Sequence, residues 1–533
     1  MQKGVFQDWL RWLANAALLA AIHFDAFRKQ PLAYISAARW YLVGKRVRAR
    51  GRLAPLLSRS PRAYTYWALR EHQITQQQAA AEGLPPLVAV VASSDSEQLE
   101  LTLASLRAEG VEAVIASDPE AAATAIDWST DPWLLPIQAG DQLAQGAAAA
   151  YRAAIEQTMA HAIYADDDAF DRWGRRTAPH FKPDWNSELL SQHDYLTGAC
   201  LVRCSREDLM MLRDERDWHA ALVRRIAQSG GAYHLRRVLH HRRQRPVPPA
   251  AAKPLIPGNA LPRVSIIVPT RNRLDLLRTC LSGLEATDYP ALEVLVVDND
   301  SDDPATLAFL ASLDAARARV IRHPGPFNYS AINNRAAREA RGDLLCLLNN
   351  DIEVTSPGWL ATLAAQAVRP EVGAVGAQLL YPDGRIQHAG VVIGVGNAAG
   401  HAHRFLRPQE EGYFRRHALP QFVSAVTGAC LVVARDKFMA VGGLDEDNFA
   451  VAYNDVDLCL RLNQRGWQSL YEPRAVLIHH ESVSRGFDRD PVGAARFAGE
   501  LSALQRIWKT ESVVDPFHHP QLSRASEQFV LGL

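Results

Sequence analysis

The stretch LLCLLNNDIEV, residues 344–354, decides the fold, because it joins an unbroken apolar run to a cluster of polar side chains. Its first five residues are short enough to be a strand covered on both faces. Asn349, Asn350 and Asp351 follow at once. A polar turn after a core strand would explain the pattern. The alternative is that the strand delivers a metal-binding acid to a cleft at its carboxyl end, where open α/β sheets bind ligands.

Neighbouring segments favour the second interpretation. VSIIVPT (264–270) and LEVLVVD (292–298) read as two more buried strands, while LDLLRTCLSGL (274–284) and AINNRAAREAR (331–341) have helical spacing, the latter with Ser330 as its N-cap. Strands that alternate with helices predict a parallel sheet with crossover connections. The polar ends of the three strands should therefore meet at one edge of that sheet.

The chain repeats itself. TGACLV occurs at 197–202 and again at 427–432, and VLHH at 238–241 is echoed by VLIHH at 476–480. Matches in the same order at similar spacing predict two copies of one fold rather than a solenoid. We predict a basic helical arm at 1–83, a first copy at 84–243, a proline- and alanine-rich linker at 244–262, a second copy at 263–490, and a C-terminal helix and tail at 491–533.

Composition excludes several classes of protein. The 533 residues carry a formal net charge of zero, which argues against a broad nucleic-acid-binding surface. None of the six cysteines forms a CxxC pair, so neither a zinc site nor a disulfide framework is expected. A reducing, cytoplasmic setting fits this cysteine usage best.

The N-terminal region differs from the rest in charge. Residues 1–62 contain twelve lysines or arginines and only two aspartates, and tryptophans are interleaved with them. Such a helical region can lie on an anionic membrane surface, or it can be a solvated arm packed on the next domain. Because no run of 18 apolar residues occurs, we expect no transmembrane helix and place the chain in the cytoplasm, with peripheral membrane contact as a further expectation.

Several side chains at the predicted strand ends suit phosphate and metal chemistry. Asp298 can accept a hydrogen bond from a pyrimidine imide, and Asp351 can hold Mg²⁺ or Mn²⁺ through oxygen. Asp455 and Asp457 stand at the start of a helix, where acids either satisfy the helix dipole or serve as a general base. After a further strand come two histidines, His479 and the adjacent residue 480, of which one is a candidate metal ligand.

In this order the motifs VSIIVPTRNR, VLVVDND, LLNNDIEV, TGACLVV, GGLDE, YNDVDLCLRL and HHESVSRG resemble family 2 glycosyltransferases of the GT-A fold. The resemblance covers residues 261–485 and is nearest to bacterial enzymes that build O-antigen and other surface polysaccharides, including rhamnosyltransferase-like members. It implies an α/β chain with two tandem GT-A-like domains, mostly parallel central sheets and the helical arm in front.

The resemblance also implies roles for individual residues. Asp455 becomes the catalytic base, Asp351 and His479 (or His480) the metal site, and Thr270, Asn272, Asp298, Asn334 and Asn350 the donor-binding residues. Two positions depart from the family pattern, since Asn349 replaces the first acid of the DxD element and Asn454 replaces the usual glutamate before the base.

The first copy has lost more of the pattern. Its counterpart of NND reads Ala139-Gly140-Asp141, and the region that matches YNDVDL has no acid after Asp217. We expect this copy to be a relic of a nucleotide site that serves as a scaffold or acceptor platform. The acidic run at 166–168 reads as a solvated turn, with a surviving active site as the alternative.

The prediction is therefore an inverting glycosyltransferase that moves a sugar from a nucleotide-diphosphate donor to a hydroxyl of a growing, O-antigen-like surface glycan, free or lipid-linked. Two other classes stay open. A sugar nucleotidyltransferase can share this sheet and metal acid, and a non-catalytic glycan-assembly subunit would have two inactive copies.

Overall fold

A computed structural model describes residues 2–71, 85–92, 96–253, 255, 261–480 and 491–533. The chain forms two compact units. The first contains residues 1–248, 519–526 and 530–533, and the second contains residues 249–518 and 527–529. The division falls inside the predicted linker, and the end of the chain returns to the first unit.

The first unit opens with four helices and continues as alternating strands and helices. The helices are α1 (Gln2–Lys29), α2 (Pro31–Leu42), α3 (Arg46–Ser58), α4 (Ala63–Glu71), α5 (Ser96–Ala108), α6 (Pro119–Ala125), α7 (Ala147–Ile155), α8 (Ser187–Gln192), α9 (Arg206–Met210) and α10 (Trp218–Gly230). The strands are β1 (Leu87–Ala92), β2 (Glu112–Ile115), β3 (Trp133–Gln138), β4 (Gln142–Leu143), β5 (Ala162–Phe170), β6 (Arg176–His180), β7 (Cys200–Arg203) and β8 (Ala232–Arg242).

The second unit is built in the same way. Its strands are β9 (Val264–Thr270), β10 (Leu292–Asp298), β11 (Arg319–Arg322), β12 (Leu344–Leu348), β13 (Ile352–Val354), β14 (Val372–Leu380), β15 (Ile386–His388), β16 (Val391–Ile393), β17 (Ala399–His401), β18 (Gln421–Val423), β19 (Cys430–Ala434) and β20 (Gln468–His479). Its helices are α11 (Leu274–Glu285), α12 (Pro304–Ser312), α13 (Tyr329–Glu339), α14 (Trp359–Ala367), α15 (Arg435–Ala440), α16 (Asn454–Gln464) and α17 (Pro491–Trp508).

The two sheets have the same strand order, as the internal repeat predicts. The first runs β2-β1-β3-β7-β5-β8-β4, and the second runs β11-β10-β9-β12-β19-β14-β20-β13. Apart from the extra edge strand β11, each strand in one of these orders has a counterpart in the other; β6, β15 and β18 pair at the side of β5, β14 and β20. Both are mixed sheets, because the TGACLV strands β7 and β19 run antiparallel to their neighbours. The parallel pairs β9/β10, β10/β11 and β9/β12 carry the predicted strand ends.

Strand β12 lies at the centre of the second sheet, between β9 and β19. All five of its residues are buried. Leu344, Cys346 and Leu348 pack into the core on one face, and Leu345 and Leu347 into the core on the other. Full burial of each leucine stabilises the fold by about 1.5–3 kcal/mol, and a polar residue in its place would lose that contribution.

The predicted strands at 264–270 and 292–298 match the structure, and the helix predicted from residue 274 ends one residue later than expected. The predicted cap is wrong. Helix α13 begins at Tyr329, and Asn328 is its N-cap, with Oδ1 accepting from Ala331 N at 2.9 Å. Ser330 lies inside the helix and donates its hydroxyl proton to Phe449 O. Asparagine caps helices as well as serine does, so the choice between the two was open in the sequence.

The expectation of a solvated turn at 166–168 is also wrong, because these aspartates lie in β5 and are buried. Asp166 lies 3.0 Å from His234 and 2.9 Å from His519, Asp167 pairs with Lys182 and Arg245, and Asp168 binds Arg176, His241 and Tyr64. Each carboxylate thus has cationic or hydrogen-bonding partners. Most of these partners are distant in sequence, so the acidic run alone looked solvent-exposed.

The N-terminal region is helical, as predicted. Its residue Asp25 is buried and is bound by Ser60 and Arg62, which ties α1 to the end of α3. Arg48 lies 4.5 Å from the ring of Trp40, a cation–π contact. Among the described residues, no helix combines the length and the apolar character needed to cross a membrane.

We predict that the stabilising effect of His234 decreases with rising pH. Its Nδ1 lies 3.0 Å from Asp184 and its Nε2 3.0 Å from Asp166. Burial alone lowers the pKa of His234, but the two carboxylates outweigh burial and hold the pKa above its ordinary value. The raised pKa makes the stabilisation complete below about pH 6.5 and removes it as pH rises through the folded-state pKa.

Calorimetric unfolding of wild type and His234→Gln over a pH series checks this prediction. The difference in Tm should be largest below the unfolded-state pKa and should shrink above it. His161→Gln, at an exposed histidine, is the matched control and should show no such trend. A His234 effect that stays constant with pH would contradict the assignment.

Candidate functional site

The polar ends of β9 and β12 meet, as the sequence predicts. The two strands are parallel neighbours, and Asn350 Nδ2 donates a hydrogen bond to Thr270 Oγ1 at 3.0 Å. Both side chains are largely buried. The strand register therefore brings the first and third of the predicted motifs together at the carboxyl edge of the sheet.

The loop after β9 is held in a left-handed conformation. Asn272 and Arg273 have φ values of 53° and 49°, which non-glycine residues adopt rarely. Asn272 stabilises this loop by accepting hydrogen bonds on Oδ1 from the backbone N–H groups of Asp302 and Asp303, both at 3.0 Å. Its own backbone N–H donates to Ser301 Oγ at 2.8 Å. These hydrogen bonds of Asn272 connect the end of β9 to the loop after β10.

The described part of the second unit contains a cavity of about 680 Å³ at this edge. Six residues that the sequence analysis selected line it, namely Thr270, Asn272, Asn350, Asp351, Asp455 and His479. Asp298 and Asn334 do not line it.

The two predicted donor residues outside the cavity are engaged elsewhere. Asp298 is buried beside Thr270 in the strand register, where it accepts from Ser301 N and pairs with the half-exposed Arg322. Asn334 is buried, and its amide bonds both backbone groups of Leu444. Their donor-binding roles remain predictions.

His479, rather than His480, faces the predicted metal acid. His479 Nε2 lies 3.0 Å from Asp351 Oδ1, whereas His480 Nε2 lies 2.9 Å from Glu353. The other nitrogen of His479, Nδ1, lies 2.7 Å from Gln387 Oε1. An amide oxygen only accepts, so Nδ1 carries a ring proton, and in the neutral ring the Nε2 lone pair faces Asp351.

This arrangement fits a divalent cation. A carboxylate oxygen suits Mg²⁺ or Mn²⁺, and metal-binding histidines generally donate their second ring N–H to an oxygen that fixes the tautomer. The two candidate ligands are Asp351 and His479. Gln387 provides the acceptor that orients the imidazole of His479. Gln387 is not among the site residues selected from the sequence.

Asp455 lies in the first turn of α16 and reaches the cavity. Its Oδ2 accepts from Gly428 N at 2.8 Å and its Oδ1 from Val456 N at 2.8 Å. Burial raises the pKa of Asp455 above its ordinary value, although these two N–H groups oppose the shift. A carboxylate with a raised pKa is a better proton acceptor at neutral pH, provided that it is still ionised.

The second acid of this helix has a structural role. Asp457 is bound by Arg461 at 2.7 Å and by Trp508 Nε1 at 3.0 Å, and it is not among the lining residues. Of the two acids that stand at the start of the helix, Asp455 is therefore the one that can meet a ligand.

The first unit has an arginine where the second has its candidate cation site. The pairs Gln142–His241 and Ile352–His479 occupy the same position in the two sheets, so Asp141 corresponds to Asp351. Arg242 Nε donates to Asp141 Oδ2 at 2.7 Å. A Cβ atom on Gly198 would lie 2.4 Å from Arg242 Cζ, so the guanidinium also fills the space beside that glycine.

Asp166, His234 and His519 of the first unit also lie close enough together to surround a metal ion. The backbone N–H of Gln521, however, donates to His519 Nδ1 at 3.1 Å. A neutral ring that accepts at Nδ1 carries its proton on Nε2, the atom that faces Asp166. In that state the Nε2–H of His519 lies 2.9 Å from Asp166 Oδ2 and occupies the position that a metal would need.

Comparison with known proteins identifies the family. Residues 265–439 match the model of glycosyl transferase family 2. The chain is 31% identical over 225 residues to N-acetylglucosaminyl-diphospho-decaprenol L-rhamnosyltransferase of Mycobacterium tuberculosis, covering 39% of this chain and 71% of that protein. The chain belongs to glycosyltransferase family 2. The two mixed sheets and the family match together confirm the predicted α/β fold class with tandem GT-A-like domains.

Two other relatives extend beyond the family 2 region. O-antigen biosynthesis protein RfbC of Myxococcus xanthus is 36% identical over 407 residues, covering 68% of this chain and 31% of that protein. An uncharacterized protein of Sinorhizobium fredii is 41% identical over 419 residues, covering 69% of this chain and 46% of that protein. This family 2 chain thus spans less than half of either relative.

We predict that Mn²⁺ affinity depends on His479 and on its support. Gln387→Leu should weaken Mn²⁺ binding about tenfold or more, because the ring loses the acceptor that fixes its tautomer. His479→Ala should weaken it further. Paramagnetic resonance titration of Mn²⁺ with the full chain, in the presence of a nucleoside diphosphate, measures both effects.

The adjacent histidine is the matched control for this titration. His480→Ala removes an imidazole of the same strand end that faces Glu353 instead of Asp351. Its Mn²⁺ affinity should equal that of wild type. A larger loss in His480→Ala than in His479→Ala would refute the ligand assignment.

Proposed function

We propose that this protein is an inverting glycosyltransferase that transfers a sugar from a nucleotide-diphosphate donor to a hydroxyl of a growing surface polysaccharide. One observation carries the proposal: Asp351 with its paired His479, and the separately held carboxylate of Asp455, line a single cavity. The names of the relatives, an O-antigen biosynthesis protein and a rhamnosyltransferase acting on a diphospho-decaprenol acceptor, support this substrate class.

In the proposed reaction Asp455 takes the proton of the acceptor hydroxyl as that oxygen attacks the anomeric carbon. A single in-line displacement with one base inverts that carbon. The amides of Gly428 and Val456 hold the carboxylate in place, so the base does not have to be reoriented when the acceptor enters. Tyr329 supports the same segment by donating its hydroxyl proton to Gly428 O at 2.8 Å.

The donor would lie along the strand ends. Thr270, Asn272 and Asn350 are placed to contact it, and Asp351 and His479 to hold Mg²⁺ or Mn²⁺ beside its diphosphate. The metal, when bound, contributes positive charge that stabilises the departing diphosphate. Asp298 would select the base. Because Arg322 covers that carboxylate, we propose that its half-exposed side chain moves aside when the nucleotide binds.

We assign the first unit a scaffold or acceptor-platform role. The guanidinium of Arg242 already neutralises Asp141, the counterpart of the metal acid. A metal-bound diphosphate would have to displace a buried ion pair there, and breaking such a pair costs about 3–5 kcal/mol. The basic N-terminal helices are proposed to bring the enzyme to the cytoplasmic membrane surface, where a lipid-linked acceptor would be found.

The released product tests the proposal. Incubation of the full chain with Mn²⁺, a panel of nucleotide sugars and a lipid-linked glycan should release nucleoside diphosphate. A nucleotidyltransferase would instead release or consume pyrophosphate. A subunit without catalytic activity would release neither, and that result with every donor of the panel would refute the proposal.

We predict that Asp455→Asn lowers kcat by about 10²–10⁴-fold, the range of general-base catalysis, and leaves donor affinity unchanged. Asp457→Asn, in the same helical turn, is the matched control and should retain kcat. Because the pKa of Asp455 is raised, wild-type activity should fall with decreasing pH at a higher pH than an ordinary aspartate would require. Undiminished turnover in Asp455→Asn would contradict this role.

A further inference from the structure

Two histidines form a pair at the wall of the cavity. His388 ends β15 and His401 ends β17, and their Nδ1 atoms lie 2.9 Å apart. The two rings are nearly perpendicular, with an interplanar angle of 87°. A direct contact between two ring nitrogens requires that one carries a proton and the other offers a lone pair.

Backbone amides determine which nitrogen carries the proton. The N–H groups of Gly390 and Thr427 both point to His388 Nε2, at 3.3 Å and 3.4 Å. A backbone N–H only donates, so Nε2 accepts and the ring proton of His388 sits on Nδ1. His388 is completely buried, and burial together with the nearby His401 and His479 holds its pKa well below the ordinary value. His388 is therefore neutral and donates to His401.

This direction determines the tautomer of His401. Its Nδ1 accepts from His388, so the neutral ring carries its proton on Nε2. His401 lines the same cavity as Asp455. A ring in this state offers a donor and has no lone pair left for a proton, so His401 cannot replace Asp455 as the base.

The same backbone segment positions the histidine pair and the base. Thr427 N–H donates to His388, and the next amide, Gly428 N–H, donates to Asp455. A shift of this segment would disturb both groups together. The position of the His401 donor relative to the Asp455 acceptor therefore depends on this one segment.

We propose that His401 is a specificity-determining residue whose Nε2–H donates a hydrogen bond to a hydroxyl oxygen of a sugar bound in the cavity. His388 is a positioning residue that holds the proton on that nitrogen. The inference rests on the proposed function and deepens it, because it predicts that a particular sugar hydroxyl is required. That hydroxyl belongs to the donor sugar or to the acceptor glycan, and the experiment separates these sources.

Calorimetry tests whether the donor supplies the hydroxyl. It compares the affinities for UDP-, GDP- and dTDP-hexoses with the affinity for each free nucleoside diphosphate. If the donor sugar supplies the hydroxyl, His401→Leu weakens binding of the nucleotide sugar about threefold to tenfold, while affinity for the free diphosphate is unchanged. If the acceptor supplies it, both affinities stay as in wild type and the acceptor KM rises by the same factor. His401→Gln keeps an N–H donor and should restore most of the loss in either case.

Nitrogen-15 spectra of histidine-labelled protein test the positioning role. His401, assigned by its absence in His401→Gln, should show protonated Nε2 in wild type and a mixture of tautomers in His388→Leu. A protonated Nδ1 on His401 in wild type would overturn the inference. Wild-type binding and transfer in a folded His401→Leu would overturn it while the proposed function stands, whereas absence of any sugar transfer by wild type would overturn the proposed function itself.

Discussion

The structure of the second unit depends on the burial of β12 on both faces. Its five residues fill two cores at once, and polar residues follow immediately after the strand ends. The parallel neighbour β9 ends at the same edge. Asn350 and Asp351 are therefore delivered next to Thr270 by the register of the sheet rather than by a flexible loop. The candidate metal acid is positioned by the same constraint that stabilises the core.

Hydrogen bonds to single acceptors then determine the chemical state of the side chains. Gln387 holds a ring proton of His479 on Nδ1. The amides of Gly390 and Thr427 donate to Nε2 of His388 and so hold its ring proton on Nδ1, which faces His401. Gln387 and His388 are adjacent in β15. One short strand thus sets one histidine as a candidate ligand and another as a donor, and neither assignment requires a change of charge.

Much of the fold and part of the site could be predicted because their signals are local. Apolar runs and helical spacing identify β9, β10 and β12, and the repeated TGACLV identifies the duplication. The partners of buried charges are not local. His234 and His519, which bind Asp166, follow it by many residues, so the acidic run in β5 looked exposed. For the same reason Gln387 could not be matched with His479, its partner 92 residues later.

The duplication places two different partners beside corresponding aspartates of one fold. Both units place an aspartate before the short edge strand and a histidine opposite it, at Asp141 with His241 and at Asp351 with His479. In the first unit Arg242 turns onto the aspartate and its guanidinium fills the space beside Gly198. Because the arginine side chain neutralises the buried carboxylate, the first unit keeps the same strand order and core without a bound cation at Asp141.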